Sequence, residues 1–114
     1  MNDAAESPEN QLQAMLRALW RNNRATIDER MQRLRETPSQ ITANQMDDTA
    51  RKEAESAAHK LAGVLGTFGL PEGSRLASNI EALFAGDTTL DETTQHQLAQ
   101  WLDELEKVLA SKSS

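Results

Sequence analysis

The sequence predicts an all-α fold, an antiparallel up-down four-helix bundle with a first helix kinked or split near its middle. Three observations predict it. Apolar residues recur at helical spacing in four separate stretches, and nowhere do they alternate as a half-buried strand requires. All three prolines, Pro8, Pro38 and Pro71, stand at the borders of those stretches. The chain of 114 residues, 38% hydrophobic and 26% charged, has the composition of one soluble domain with one modest core.

Residues 1 to 6 are expected to be disordered, the bundle to span 7–110, and 111–114 to fray. Ser7-Pro8-Glu9 offers an N-cap, a proline at the first helical position and an acid in the first turn. Leu12, Met15, Leu16, Leu19, Trp20, Ile27, Met31 and Leu34 then hold a helical spacing to about Glu36. The spacing is interrupted at Arg21-Asn22-Asn23-Arg24, which marks a kink or a break into two helices. Thr37-Pro38-Ser39 stops the helix, because the residue before a proline resists helical geometry. Ile41 to Met46 lacks a sustained period and reads as a packed connector.

Asp47 or Asp48 can cap a second helix running to Phe68, with Gly69 as its stop. Pro71-Glu72 opens a third, whose stripe is Leu76, Ile80, Leu83 and Phe84, ending at Gly86. The link between the two is so short that they must form an antiparallel hairpin. Asp87-Thr88-Thr89 is a turn, and Thr89 with Glu92 has capping-box spacing for the last helix. Leu98, Trp101, Leu102, Leu105, Val108 and Leu109 make its inner face, with Lys107 and Lys112 near the negative end of its dipole.

Composition removes several function classes. Without cysteine there is no disulfide, thiolate nucleophile or Cys-based zinc site, which suits a reducing compartment. A net charge of −6 argues against nonspecific binding to nucleic acid or an anionic membrane. Arg17, Arg21, Arg24, Arg30, Arg33 and Arg35 crowd the first helix, but Asp28, Glu29 and Glu36 are interleaved with them as a solvated mixed-charge face. The start Met1 to Glu6 is polar and acidic, unlike a secretion signal, and no apolar run approaches the ~18 residues of a membrane span. The chain reads as cytoplasmic and complete. It has no room for an ATP-binding kinase domain, no Gly-x-Ser-x-Gly and no phosphate-binding loop.

One segment does not fit a plain bundle. Ala57 to Leu70, A-A-H-K-L-A-G-V-L-G-T-F-G-L, places a histidine and three glycines in what is otherwise a helix. At about 100° per residue, Ala54, Ala57, Leu61, Val64, Leu65 and Phe68 fall roughly 120–180° from His59. Lys52, Glu55, Ser56, Ala62, Gly63 and Gly66 fall within roughly 60° of it. The imidazole therefore faces water over a nearly bare strip. Two interior glycines cost about 1 kcal/mol each relative to alanine, so something must offset them. Clearing side chains beside the ring would let another molecule's backbone and active site approach. The competing reading, glycines that pack against a neighbouring helix beside a solvated histidine, accounts poorly for glycines on the histidine's side.

His59, Gly63, Gly66 and Gly69, at these offsets, resemble the signature of histidine-containing phosphotransfer (HPt) domains, H-x-[hydrophobic]-[K or small]-G-x-x-G-x-x-G. The close match covers Glu53 to Leu83; elsewhere the resemblance lies in helix order and length. Many family members carry lysine three residues after the histidine, where this chain has Ala62. The resemblance implies a phosphocarrier, not an enzyme. His59 would accept a phosphoryl group from a receiver-domain phospho-aspartate and pass it to another receiver. The partner would supply Mg²⁺, and the carrier would have no cofactor or metal of its own and act as a monomer. A neutral imidazole suits this, since an unperturbed pKa near 6.5 leaves most of an exposed histidine uncharged at cytosolic pH.

The docking surface would comprise Lys52, Glu55, Ser56, Lys60, Ala62, Gly63 and Gly66. Lys60 lies about 100° round the helix and Lys52 two turns away, so neither replaces the missing cation well, and the partner's ions would hold the phosphate. Counting outward from the hairpin turn places Ser78 to Glu81 level with His59, where Ser78 or Glu81 could orient the ring. His96, among Gln95, Gln97 and Gln100, has no role, and the two histidines lack the i, i+4 spacing of helical metal ligands. Two rival readings are a non-phosphorylated helical adaptor that binds receivers and a cytokine-like or metal-carboxylate bundle. The last predicts inward Glu-x-x-His ligands that neither histidine provides.

Overall fold

The computed structural model describes residues 7–86 and 89–112, and every structural statement below concerns those residues. It consists of α1 (Pro8–Arg35), α2 (Thr37–Thr42), α3 (Asp48–Thr67), α4 (Pro71–Ala85) and α5 (Glu92–Ser111), with no strand among the described residues. Four long helices make the bundle, and the single-turn-and-a-half α2 lies between α1 and α3 against α5. The expectations for residues 1–6, for Asp87 and Thr88, and for the last two residues fall outside the described part.

Ser7 caps α1, its hydroxyl accepting from the Asn10 amide at 3.1 Å. The chain does not divide at the asparagine pair. α1 is bent but continuous, and Asn23 donates to the Leu19 carbonyl one turn back. Helix geometry gives way only at Glu36. Pro38 then sits in the first turn of α2, where a missing N–H costs nothing, so the proline that closes one helix opens another. The expected connector thereby shrinks to the residues between Thr42 and Asp48. Thr37, the first residue of α2, is fully buried and donates to the Leu34 carbonyl.

The Asp47 carboxylate caps α3 by accepting from the Ala50 amide at 2.8 Å. At the other end Gly69 takes φ +74°, the Leu70 amide donates to Leu65 O and the Gly69 amide to Gly66 O. This pairing satisfies the last carbonyls of α3 and reverses the chain straight into Pro71, and a side chain at Gly69 would be strained. The capping expectation for α5 is corrected. Asp91, not Thr89, is the N-cap: its carboxylate accepts from the Thr94 amide at 2.9 Å, while Thr89 supplies only a carbonyl to the Thr94 hydroxyl. Only Thr89 has the capping-box spacing to Glu92, but the anionic acceptor directly before the helix is the better complement to its positive end.

The core joins Ile27, Met31 and Leu34 of α1 to Ala54, Ala58, Leu61 and Leu65 of α3, Leu76, Ile80 and Phe84 of α4, and Leu98, Leu102 and Leu105 of α5. Trp101 and Val108, expected on the inner face of α5, lie half-buried at its margin. Trp20 closes one end, edge-on to Phe68 with ring centroids 5.2 Å apart and Arg24 and Lys112 over its faces. Beyond Trp20 the sequence pattern misleads. Leu12, Met15 and Leu19 are 54%, 57% and 42% exposed, because the 28 residues of α1 outrun the 20 of α3 by about 12 Å. The molecule is accordingly long, 63 × 22 × 19 Å. No described helix is long and apolar enough to cross a membrane.

Candidate functional site

His59 stands on the outer ridge of α3, between α1 on one side and α4 on the other. Its position follows from the wheel: Ala54, Ala58, Leu61 and Leu65 are fully buried beneath it, and they fix which side of α3 is left for solvent. The side chain is 72% exposed. Its Nδ1 lies 3.0 Å from Oε2 of Glu81 on α4. An ionised carboxylate only accepts, so Nδ1 is the donor in this contact, and a neutral ring that makes it carries its lone pair on Nε2. Nε2 has no protein partner among the described residues. An imidazole oriented through one nitrogen, with the other open to solvent, has the geometry of a nucleophile whenever the ring is neutral.

The α3–α4 pair that carries this contact is held at both ends. Near the turn, the Ser74 hydroxyl donates to the Ala62 carbonyl at 2.8 Å. Gly73 lies against Val108 and Leu65 so closely that a Cβ there would come within 3.0 and 3.1 Å of them. At the far end Arg51 of α3 donates to the carbonyls of Phe84, at 2.9 Å, and of Leu83 and Gly86. These are the orphan acceptors that close α4, and a cation is the fitting partner for them. Glu81, one turn before, is thus fixed in height and rotation relative to His59. Its side chain is 29% exposed.

The residues expected around His59 divide into three groups. Lys52, Ser56, Lys60 and Gly63 are exposed on the same outer surface, and Glu55 is half-buried beside them. A Cβ on Gly63 would meet nothing within 4 Å, whereas one on Gly66 would reach the Ser74 hydroxyl at 3.5 Å, an ordinary contact. Gly63 therefore borders open space, and Gly66, also exposed, borders α4. Ala62 is half-buried against the core and α4, at the edge of the surface rather than on it. Of the two candidates for orienting the ring, Glu81 makes the contact; Ser78 is exposed and makes no hydrogen bond to it. His96 is exposed on α5, away from this face.

Sequence reasoning passed over Arg51, Ser74 and Gly73. Each acts across the hairpin, and its role depends on which residue of α4 or α5 stands opposite. Counting residues back from the tight turn at Gly69 reaches Ser74 as a neighbour of Ala62, so that signal was available. Nothing comparable indicates what α1 presents to α3, because twelve residues intervene between them.

The family model for the Hpt domain matches residues 5–110, nearly the whole chain. No curated protein and no solved structure matches it. The chain therefore belongs to the Hpt domain family. Domains of this family serve phosphotransfer in two-component phosphorelays, generally engage receiver domains, and are phosphocarrier modules rather than enzymes.

Proposed function

We propose that this Hpt domain carries its phosphoryl group on Nε2 of His59, taking it from a receiver-domain phospho-aspartate and delivering it to another receiver. The observation that supports this most is the 3.0 Å contact between Nδ1 of an otherwise exposed ring and Glu81. In the transfer, the Nε2 lone pair attacks phosphorus in line. The N–P bond forms as the P–O bond to the aspartate breaks, and the aspartate leaves as a carboxylate. The ring gains positive charge in this step, and the Glu81 carboxylate at Nδ1 stabilises it. Reversal toward the second receiver expels an imidazole already oriented by the same contact. Mg²⁺ and the remaining charged groups belong to the receiver, and the carrier supplies a rigid, uncluttered mount, acting as a monomer in the cytoplasm.

Incubation with a phosphorylated receiver tests this. An acid-labile, alkali-stable phosphate on the wild type, lost in His59→Gln, is the expected result. Retained receiver binding without any such phosphate would instead make the domain a docking adaptor.

A further inference from the structure

The groove between α1 and α3 opens beside the His59 face and is lined by Glu29, Arg30, Arg33, Glu53, Ser56 and Lys60. Ser56 belongs to both, standing one turn before His59 on the same side of α3. Three cations meet two acids there, in a chain whose formal charge is −6. The cations are not equivalent. Arg33 is engaged internally, with Glu53 at 3.2 Å, Glu36 at 3.5 Å and the Ala50 carbonyl at 3.3 Å. Arg24 and Arg35 are likewise paired, with Asp28 and Glu106. Arg30, half-buried, and Lys60, exposed, have no ion-pair or hydrogen-bond partner among the described residues. The interleaved-charge reading of α1 therefore leaves Arg30 unexplained.

The opposite flank of His59 has the reverse character. Glu81 touches the ring, and Glu55 is half-buried on the same outer surface of α3. The position three residues after His59, where family members often carry lysine, is Ala62 and is half-buried toward α4. α3 thus places no cation there: exposed Lys52 lines the α3–α4 groove beside Glu55 but stands two turns from the ring, and the unpaired positive charge nearest His59 lies across the ridge.

We infer that Arg30 and Lys60 form a cationic shoulder that receives the carboxylates surrounding the receiver's phosphorylation pocket. The inference rests on the phosphocarrier reading above. A partner that holds Mg²⁺ beside a phospho-aspartate does so with further carboxylates, so it presents an acidic rim. Arg30 has its stem half-buried in the groove, which limits the freedom lost on pairing, and its planar fork can engage a carboxylate bidentately. Lys60 adds a mobile point charge at the groove's edge. With Glu81 on one flank and this shoulder on the other, the face is polarised across the imidazole, so an acidic rim is steered to one side and the docking register is set.

The test compares two charge-matched double variants, using Mg²⁺-loaded receiver domains phosphorylated with acetyl phosphate and chosen as donors to the wild type. Arg30→Glu with Lys60→Glu is expected to raise KM for the phosphorylated receiver about tenfold or more, to leave kcat within about twofold, and to flatten the salt dependence of kcat/KM. Arg21→Glu with Lys107→Glu, which changes net charge equally at exposed cations outside the groove, is expected to shift KM by less than about twofold. Equal KM values for the two doubles would overturn the inference while leaving the phosphocarrier reading intact. Should the glutamate pair lose its helical signal, Arg30→Gln with Lys60→Gln serves instead: a KM raised about threefold supports the shoulder, and an unchanged KM overturns it. A wild type that takes phosphate from no receiver overturns the phosphocarrier reading itself, and this inference with it.

Discussion

The two sides of α3 are built from the same twenty residues and obey opposite rules. On the inner side Ala54, Ala58, Leu61 and Leu65 are fully buried, and each contacts residues from other helices. On the outer side Lys52, Ser56, Lys60 and Gly63 are exposed, and His59 among them is tied to α4 through Glu81. The difference teaches that stability and docking are separable in this helix. Changes beneath His59 act on folding, and changes beside it act on what reaches the ring.

The largest expected effect tests the inner side. Leu61→Ala removes a fully buried side chain between α3 and its neighbours and should cost about 2–5 kcal/mol in urea denaturation. A loss well under that range would mean that the bundle's centre lies elsewhere.

Next come two glycines, given the same side chain. Gly73→Leu drives carbon into Val108 and Leu65, where even a Cβ is tight, and should destabilise by about 1–3 kcal/mol. Gly63→Leu enters open space and should leave stability unchanged or raise it by up to about 1 kcal/mol through helix propensity. It should still slow phosphotransfer about tenfold by keeping the receiver from the ring. Thermal melts and transfer assays on the pair would collapse the comparison if Gly63→Leu unfolded the protein or transferred at the wild-type rate.

Glu81→Gln sharpens the comparison at the ring. It keeps the shape but removes the charge that Nδ1 meets, and should slow transfer about three- to tenfold with the thermal midpoint nearly unchanged. An unaltered rate would show that the contact only decorates the surface.

The smallest effect concerns a region remote from both sides. The hydrogen bond from the Thr94 amide is the foremost cause that holds the Asp91 carboxyl below its ordinary range, against an opposing effect of desolvation. A carboxyl depressed in the folded state lends stability that is present above its unfolded pKa of about 4 and is lost as pH falls through the folded value. Between about pH 5 and pH 2.5 the midpoint of the wild type should therefore fall slightly more than that of Asp91→Asn, which keeps the cap without titrating. Identical acid profiles would remove this contribution.

Most of the fold was legible in the chain because its punctuation is local. Ser7-Pro8, Asp47, Gly69 and Pro71 each act on backbone groups within a turn of themselves, and the structure uses them as expected. Pro38 was ambiguous, since a proline both closes and opens helices, and α2 was hidden by that ambiguity. Leu12, Met15 and Leu19 were legible as one apolar face but not as an exposed one, because burial depends on how far the partner helices reach. The ring's outward aspect and its level with Glu81 could be counted from the wheel and the tight hairpin. Arg30 could not be placed beside Lys60, since the chain between α1 and α3 does not itself fix their register.

The central claim is that His59 offers Nε2, with Nδ1 committed to Glu81. Phosphorus-to-nitrogen coupling in ¹⁵N-labelled, receiver-phosphorylated protein tests it directly. The account predicts that the coupling appears at Nε2 of His59, with Nδ1 still protonated and hydrogen-bonded. Coupling at Nδ1, or a phosphorylated residue other than His59, would contradict it.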